Sequence, residues 1–165
     1  RHRLLQPLWF STLGLKKGCY LLLTLNRHEL LQQRQVLQSL LQTILDRAGG
    51  VPVVAPLHPY VQQAIQATGI SAPNLHILPP QSYLHFGFLI NQAQGIVTDS
   101  GITLNTYAEH PETWRIGTNE LVGENTFALS ASLEKMLKGD WKHSTLPERW
   151  DGRTAERIVQ VLLTK

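Results

Sequence analysis

Residues 18–25 of the chain read Gly18-Cys19-Tyr20-Leu21-Leu22-Leu23-Thr24-Leu25. A continuous apolar run of this length is typical of a strand that is covered on both faces, as in a parallel sheet with helices on either side. The run gives way to polar residues at 26–29, where we expect the strand to have ended. This buried strand is the element from which the rest of the fold can be worked out.

Strand and helix patterns alternate downstream of this run. Apolar residues recur at helical spacing from Leu30 to Leu45, and Gly49-Gly50 supplies a C-terminal stop, which predicts one long amphipathic helix. Short apolar runs predict further buried strands at residues 51–57, 74–78 and 95–99.

Helices are predicted between and after these strands. One ends at Gly69, one is capped by Ser82, one is capped by Asn125, and a last one covers residues 158–163. Alternation of this kind predicts an α/β fold, a Rossmann-like doubly wound parallel sheet. With 165 residues, 42% of them apolar, the chain can bury one core, so we expect a single domain over residues 1–165.

Composition argues against several classes of protein. The net charge is +3, but Lys and Arg are spread along the chain, so we expect no nucleic-acid partner. Apolar stretches fall far short of the roughly 20 residues that cross a bilayer, so we expect no membrane partner. The single cysteine, Cys19, excludes an internal disulfide and favours a cytoplasmic location. The His residues lack zinc-site spacing, and we predict neither a metal nor a cofactor.

The loops that follow the strands hold the residues with chemical potential. Ligands of doubly wound sheets bind at the carboxyl ends of the strands, so the loops after Leu25, Leu57, Leu78 and Asp99 should meet in one crevice. Ser100 and Gly101 can offer a hydroxyl and backbone N–H groups to a phosphate, with ordinary turn chemistry as the alternative.

Four other loop residues have two interpretations each. Arg27 can pair with a diphosphate through its planar guanidinium, or be a surface residue. His58, fixed in conformation by the following proline, is a catalytic or phosphate-contacting group or only a strand terminator. Tyr83 and Phe86 can flank a base, although burial against the sheet is favoured.

Several short motifs follow one another in a fixed order: Thr24-Leu25-Asn26-Arg27, Leu57-His58-Pro59, Tyr83-Leu84-His85-Phe86, Thr98-Asp99-Ser100-Gly101, Glu109-His110-Pro111-Glu112, and the segments 117–123 and 150–158. This ordered set resembles the C-terminal domain of the non-hydrolysing UDP-N-acetylglucosamine 2-epimerases. The resemblance covers most of the chain, from about residue 18 to residue 163.

The resemblance implies one half of a GT-B-type enzyme, in which two Rossmann-like domains face a cleft and the C-terminal one holds UDP. The chain would then be part of a longer protein whose N-terminal domain is absent here, and this half alone is expected to be inactive. The implied reaction inverts C2 of the sugar in UDP-N-acetylglucosamine, giving the mannosamine epimer, by eliminating UDP and adding it back. The implied partners are the UDP-sugar, the chain's own N-terminal domain and, in one option, a second copy of the full-length protein. The product would enter cell-surface polysaccharide biosynthesis.

The resemblance also assigns roles to individual residues. It places Ser100 and Gly101 at the diphosphate, Arg27 and His58 along the cleft as UDP-binding and candidate catalytic groups, and Glu112 as a hydrogen-bonding group. The segment from Pro80 to Phe86 would surround uracil, with Pro80, Gln81, Tyr83 and Phe86 as its binding residues.

One departure from the family pattern leaves other functions open. Asn26 stands where the family has His, and an amide cannot relay a proton near neutral pH. A related glycosyltransferase or hydrolysing epimerase of the same fold is one alternative. A non-catalytic nucleotide-sugar-binding domain is the other.

A second departure follows Gly101, where the family continues with a further Gly and a helix but this sequence passes directly to Ile102-Thr103-Leu104. Two parallel strands need a crossover of about a dozen residues, which this junction lacks. We therefore expect residues to be missing from the sequence between Gly101 and Ile102, a true deletion being the alternative. The intact mass of the polypeptide that begins at Arg1 and ends at Lys165 should then exceed 18.6 kDa, and a mass equal to that value would contradict the expectation.

Overall fold

The computed structural model describes residues 4–99, 117–143, 145, 148 and 151–164. Within these residues the strands are β1 (Leu21–Thr24), β2 (Val53–Pro56), β3 (Leu75–Leu78) and β4 (Gly95–Thr98). The helices are α1 (Leu8–Thr12), α2 (His28–Gln32), α3 (Arg34–Ala48), α4 (Pro59–Thr68), α5 (Tyr83–Gln92), α6 (Thr126–Lys138) and α7 (Thr154–Leu163).

All four strands run parallel, in the order β3-β2-β1-β4. The chain builds outward from β1 to β3 and then returns to add β4 on the other side of β1. The strand order therefore reverses between β1 and β4, where Leu21 pairs with Gly95 and Thr24 pairs with Thr98. This arrangement confirms the predicted doubly wound sheet and places its crevice at the carboxyl ends of β1 and β4.

Successive residues of β1 point to opposite faces of the sheet, and both faces are covered. Leu21 and Leu23 belong to a core cluster with side chains of α3, α4 and α6. Leu22 lies in a second cluster on the other face, with Phe10 of α1 and Leu89 of α5. Because helices cover both faces, no position in β1 is left for a polar side chain facing water, which explains the continuous apolar run.

The predicted long helix starting near Leu30 is wrong, because two helices occupy that stretch. Between α2 and α3, Gln33 has φ −92° and ψ 73°, outside the helical region. Its side-chain amide donates to the carbonyl of Glu29, and its own carbonyl accepts from the N–H of Leu37 at 2.9 Å. Apolar spacing continues across this break, so periodicity alone does not detect it.

Both predicted helix caps are confirmed. The Ser82 hydroxyl accepts from the N–H of His85 at 3.4 Å, and the Asn125 side chain accepts from the N–H groups of Phe127 and Ala128. The favoured burial of Tyr83 is wrong, since this first residue of α5 is 85% exposed. A side chain at the first position of a capped helix projects beyond the packed stripe, which begins further along α5 at Phe86 and Leu89.

The last helix, α7, contributes no buried residue to either cluster within the part of the chain that the structure describes. Its apolar side chains include Ile158, Val161 and Leu162, all more than half exposed. Among the described residues, no helix has the length and hydropathy to cross a membrane.

Tyr20 directly precedes β1 and is fully buried, and it makes the stability of the folded state depend on pH in the alkaline range. Its hydroxyl donates to the carbonyl of Leu89 at 2.6 Å, and burial raises its pKa because the phenolate would be poorly solvated. An unfolded tyrosine ionises near about pH 10, so the neutral side chain stabilises the folded state below that pH, and this contribution is lost as the pH rises above it.

Tyr20→Phe should therefore cost about 1 kcal/mol at neutral pH and flatten the loss of stability above about pH 10. Urea unfolding at a series of pH values measures both effects. The exposed Tyr83→Phe variant is the matched control and should keep the wild-type slope. Parallel curves for Tyr20→Phe and the wild type would contradict this account.

Candidate functional site

A cleft of about 210 Å³ opens at the carboxyl edge of the sheet. Its walls come from the carboxyl ends of β1 and β2, the loop after β3 and one residue of α5. The lining residues are Thr24, Asn26, Pro56, His58, Pro80, Gln81 and Phe86. Of the four loops predicted to meet in a crevice, those after Leu25, Leu57 and Leu78 do contribute to this cleft, and the loop after Asp99 lies outside the described residues.

The junction between β1 and β4 is held by polar contacts. The Thr24 hydroxyl lies 2.7 Å from the Thr98 hydroxyl, and the N–H of Asp99 donates to the carbonyl of Thr24 at 3.3 Å. The fully buried Asp99 carboxylate accepts from the N–H of Asn26 at 2.9 and 2.7 Å and from the N–H of Arg27 at 2.8 Å. Side chain and backbone together thus fix where the loop after β1 leaves the sheet.

His58 stands between β2 and α4. Its backbone is extended, with φ −65° and ψ 151°, as the following proline requires, and its carbonyl accepts from the N–H groups of Val61 and Gln62. Its exposed imidazole stacks on Tyr60 with ring centroids 5.8 Å apart, and Tyr60 also stacks on His28 at 5.5 Å. Beside the cleft, these three rings form an aromatic surface that includes two imidazoles able to meet an anion.

The opposite wall is a rigid turn that carries Gln81 and leads to Phe86. The Gln81 amide donates to the carbonyl of Pro79 at 2.8 Å, and its oxygen accepts from the indole N–H of Trp9 at 3.3 Å. The Gln62 amide donates to the carbonyls of Leu57 and Leu78, which ties the end of β2 to the end of β3. The cleft wall is therefore fixed before any ligand arrives.

The predicted site residues divide into three groups. His58, Pro80, Gln81 and Phe86 line the cleft together. Arg27 is half-buried beside Asn26, and Tyr83 is exposed; neither is among the lining residues. Ser100, Gly101 and Glu112 lie outside the described residues. The roles of all these residues stay predictions.

Several site residues were not predicted as such. Thr24, Asn26 and Pro56 line the cleft, and the rings of His28 and Tyr60 flank it. Their positions at strand ends were the available signal, because the sheet topology brings such ends together.

Asp99 was likewise not among the predicted site residues, although it follows a strand directly. What distinguishes it is a set of backbone contacts between segments more than seventy residues apart, and no local pattern encodes those.

A larger cavity of about 440 Å³ lies at the other end of β4, between Gly95, Met136 and Trp141. It opens at the amino end of the strand, whereas ligands of doubly wound sheets bind at the carboxyl ends. The smaller cleft is thus the candidate site. Within the described residues, no three His, Cys, Asp or Glu side chains are grouped so that they could hold a metal ion.

A family model described as UDP-N-acetylglucosamine 2-epimerase matches residues 5–163 of the chain. A protein named UDP-N-acetylglucosamine 2-epimerase from Methanocaldococcus jannaschii is 30% identical over 165 residues, which cover 87% of this chain and 44% of that protein. The chain thus spans about half the length of the curated relatives it matches.

Solved structures give the same picture. The M. jannaschii UDP-GlcNAc 2-epimerase in complex with UDP-GlcNAc and UDP is similar with a TM-score of 0.69 and 30% identity, over 88% of this chain and 45% of that one. The Neisseria meningitidis UDP-GlcNAc 2-epimerase bound to UDP-GlcNAc is similar with a TM-score of 0.66 and 27% identity, over 88% of this chain and 45% of that one.

Proposed function

This chain belongs to the UDP-N-acetylglucosamine 2-epimerase family, and from that premise we propose that it supplies the UDP-binding half of such an enzyme. The whole enzyme interconverts UDP-N-acetylglucosamine and UDP-N-acetylmannosamine by eliminating UDP and adding it back. The observation that carries the proposal is the cleft at the carboxyl ends of β1 and β2, lined by an aromatic ring, two amides and an imidazole.

The small volume of the cleft supports a binding site that is shared with a second domain. Pockets for small ligands usually enclose about 300–1,000 Å³, more than the 210 Å³ found here. A nucleotide sugar would therefore fill this cleft and extend beyond it. We place the other wall on an N-terminal domain facing this one, as in a two-domain GT-B arrangement, so that residues 1–165 form the C-terminal domain.

The proposed contacts follow from the chemistry of each side chain. Phe86 offers a ring face to uracil, and Gln81 and Pro80 shape the wall around the base. His58 and Arg27 attract the diphosphate, with Ser100 and Gly101 as its further ligands. Tyr83 and Glu112 complete the proposed set, Tyr83 from its exposed position beside the entrance.

The acid–base chemistry of the reaction needs groups that exchange protons near neutral pH. Of the described cleft-lining residues, His58 alone has a side chain of the type that serves as a general acid or base, while Asn26 can only donate or accept hydrogen bonds. His58 is therefore the proposed acid–base group of this half, Arg27 is its proposed catalytic cation at the diphosphate, and the remaining acid–base groups belong to the other half.

Asn26 also favours a second candidate function, a domain that binds the nucleotide sugar without turning it over. It lines the cleft, and it stands where the family pattern that this sequence resembles has a histidine. With the N-terminal half restored, an assay for C2 epimerisation separates the two, since the second candidate binds UDP but forms no product. Formation of free sugar or of a glycoside would point to a hydrolase or a glycosyltransferase instead.

A cytoplasmic location and a homodimer of the full-length form stay predictions.

Calorimetric titration of the 165-residue chain with UDP, with AMP as the control ligand, tests the proposal directly. We expect saturable binding of UDP and no binding of AMP. His58→Ala and Phe86→Leu should each weaken UDP binding about tenfold, because each removes a contact worth about 1–2 kcal/mol.

Asn119→Ala, which alters the larger cavity at the amino end of β4, is the matched control and should leave UDP binding unchanged. Equal affinity for AMP, or a loss of UDP binding in the Asn119 variant alone, would contradict the proposed site.

A further inference from the structure

Asp99 is a fully buried carboxylate at the end of β4, where the order of strands reverses. A buried charge is costly unless polar groups replace its water. Here both carboxylate oxygens accept from the N–H of Asn26, and one of them also accepts from the N–H of Arg27, all at 2.7–2.9 Å. Short contacts of this kind to a charged acceptor are stronger than neutral hydrogen bonds.

These two N–H groups occupy a special place in the fold. They follow β1 at the switch point, where doubly wound proteins often present backbone N–H groups to the phosphate of a nucleotide. In this chain they are already bonded to the protein's own carboxylate. A ligand phosphate would have to displace a buried anion to reach them.

The loop held in this way carries two residues of the proposed site. Asn26 lines the cleft through its side chain, and Arg27 begins the turn into α2. With both N–H groups bonded inward, it is the side chain of Asn26 that meets a ligand in the cleft. Asp99 itself is fully buried and lies behind this loop, so it acts through Asn26 and Arg27.

We propose that Asp99 is a positioning residue for nucleotide binding. Its carboxylate holds residues 26 and 27 at the cleft, and it occupies their N–H groups so that these do not bind the diphosphate. This inference rests on the proposed function. The diphosphate is then held by side chains instead of these two N–H groups. The alternative is that Asp99 contributes only to overall stability.

Asp99→Asn tests the inference, because the amide keeps the shape but turns an N–H donor toward the N–H groups of the loop. In the 165-residue chain, we expect amide hydrogen exchange at Asn26 and Arg27 to become about tenfold faster, since one of the two oxygens that accept from them is replaced by an NH₂ donor and the negative charge is lost. The Kd for UDP should rise about tenfold. Both are measured by NMR, at a temperature where the variant is folded.

Thr68→Val is the matched control. Thr68 is also buried, donates to the carbonyl of Ile65 at 2.6 Å and accepts from the N–H of Ile70, but it ends α4 at the opposite edge of the sheet. The Thr68→Val variant should be less stable than the wild type, but its Kd for UDP and its amide hydrogen exchange at residues 26 and 27 should be unchanged.

The outcomes separate the inference from the proposed function. If the wild type binds no UDP, the proposed function fails and the ligand-directed part of the inference fails with it, while the exchange rates still decide whether Asp99 holds the loop. Wild-type UDP affinity in Asp99→Asn, unchanged exchange at residues 26 and 27, or equal losses in Thr68→Val would each overturn the positioning role.

Discussion

The parallel pairing of β1 with β4 is the constraint on which the rest of this structure depends. Four residue pairs, from Leu21 with Gly95 to Thr24 with Thr98, bring together two strands that are more than seventy residues apart in the sequence. This pairing reverses the strand order, and the reversal opens a crevice at the carboxyl edge. It also brings Asp99 within hydrogen-bonding distance of residues 26 and 27. The anchored loop after β1 and the buried charge beside it are both consequences of this one strand pairing.

Burial on both faces makes that pairing rigid. The two core clusters leave the leucines of β1 without solvent contact, so a shift of register would expose apolar surface or bury polar groups. The functional groups are consequently displaced to the ends of the strands, where side chains such as His58 and Gln81 reach water. A small, open cleft on a rigid sheet fits the half-site that we propose for this chain.

The sequence predicted the sheet and the edge at which the cleft lies because these depend on local patterns. The apolar run of β1, the Ser82 and Asn125 caps, and the polar residues after each strand are all visible in short windows. The break at Gln33 and the exposure of Tyr83 were missed because they depend on single-residue geometry and on what packs nearby. The anchoring by Asp99 joins residues distant in sequence, and no window contains both partners. The roles of the predicted site residues stay predictions.

We expect UDP to bind at the carboxyl edge of the sheet, over the ends of β1 and β2. Mapping UDP-induced changes in amide chemical shifts by NMR distinguishes this cleft from the larger cavity, because the larger cavity lies at the amino end of β4 and shares no lining residue with the cleft. The account predicts that the changes cluster at Asn26, His58, Gln81 and Phe86. Changes confined to Gly95, Asn119 and Trp141 would place the ligand in the other cavity and contradict the account.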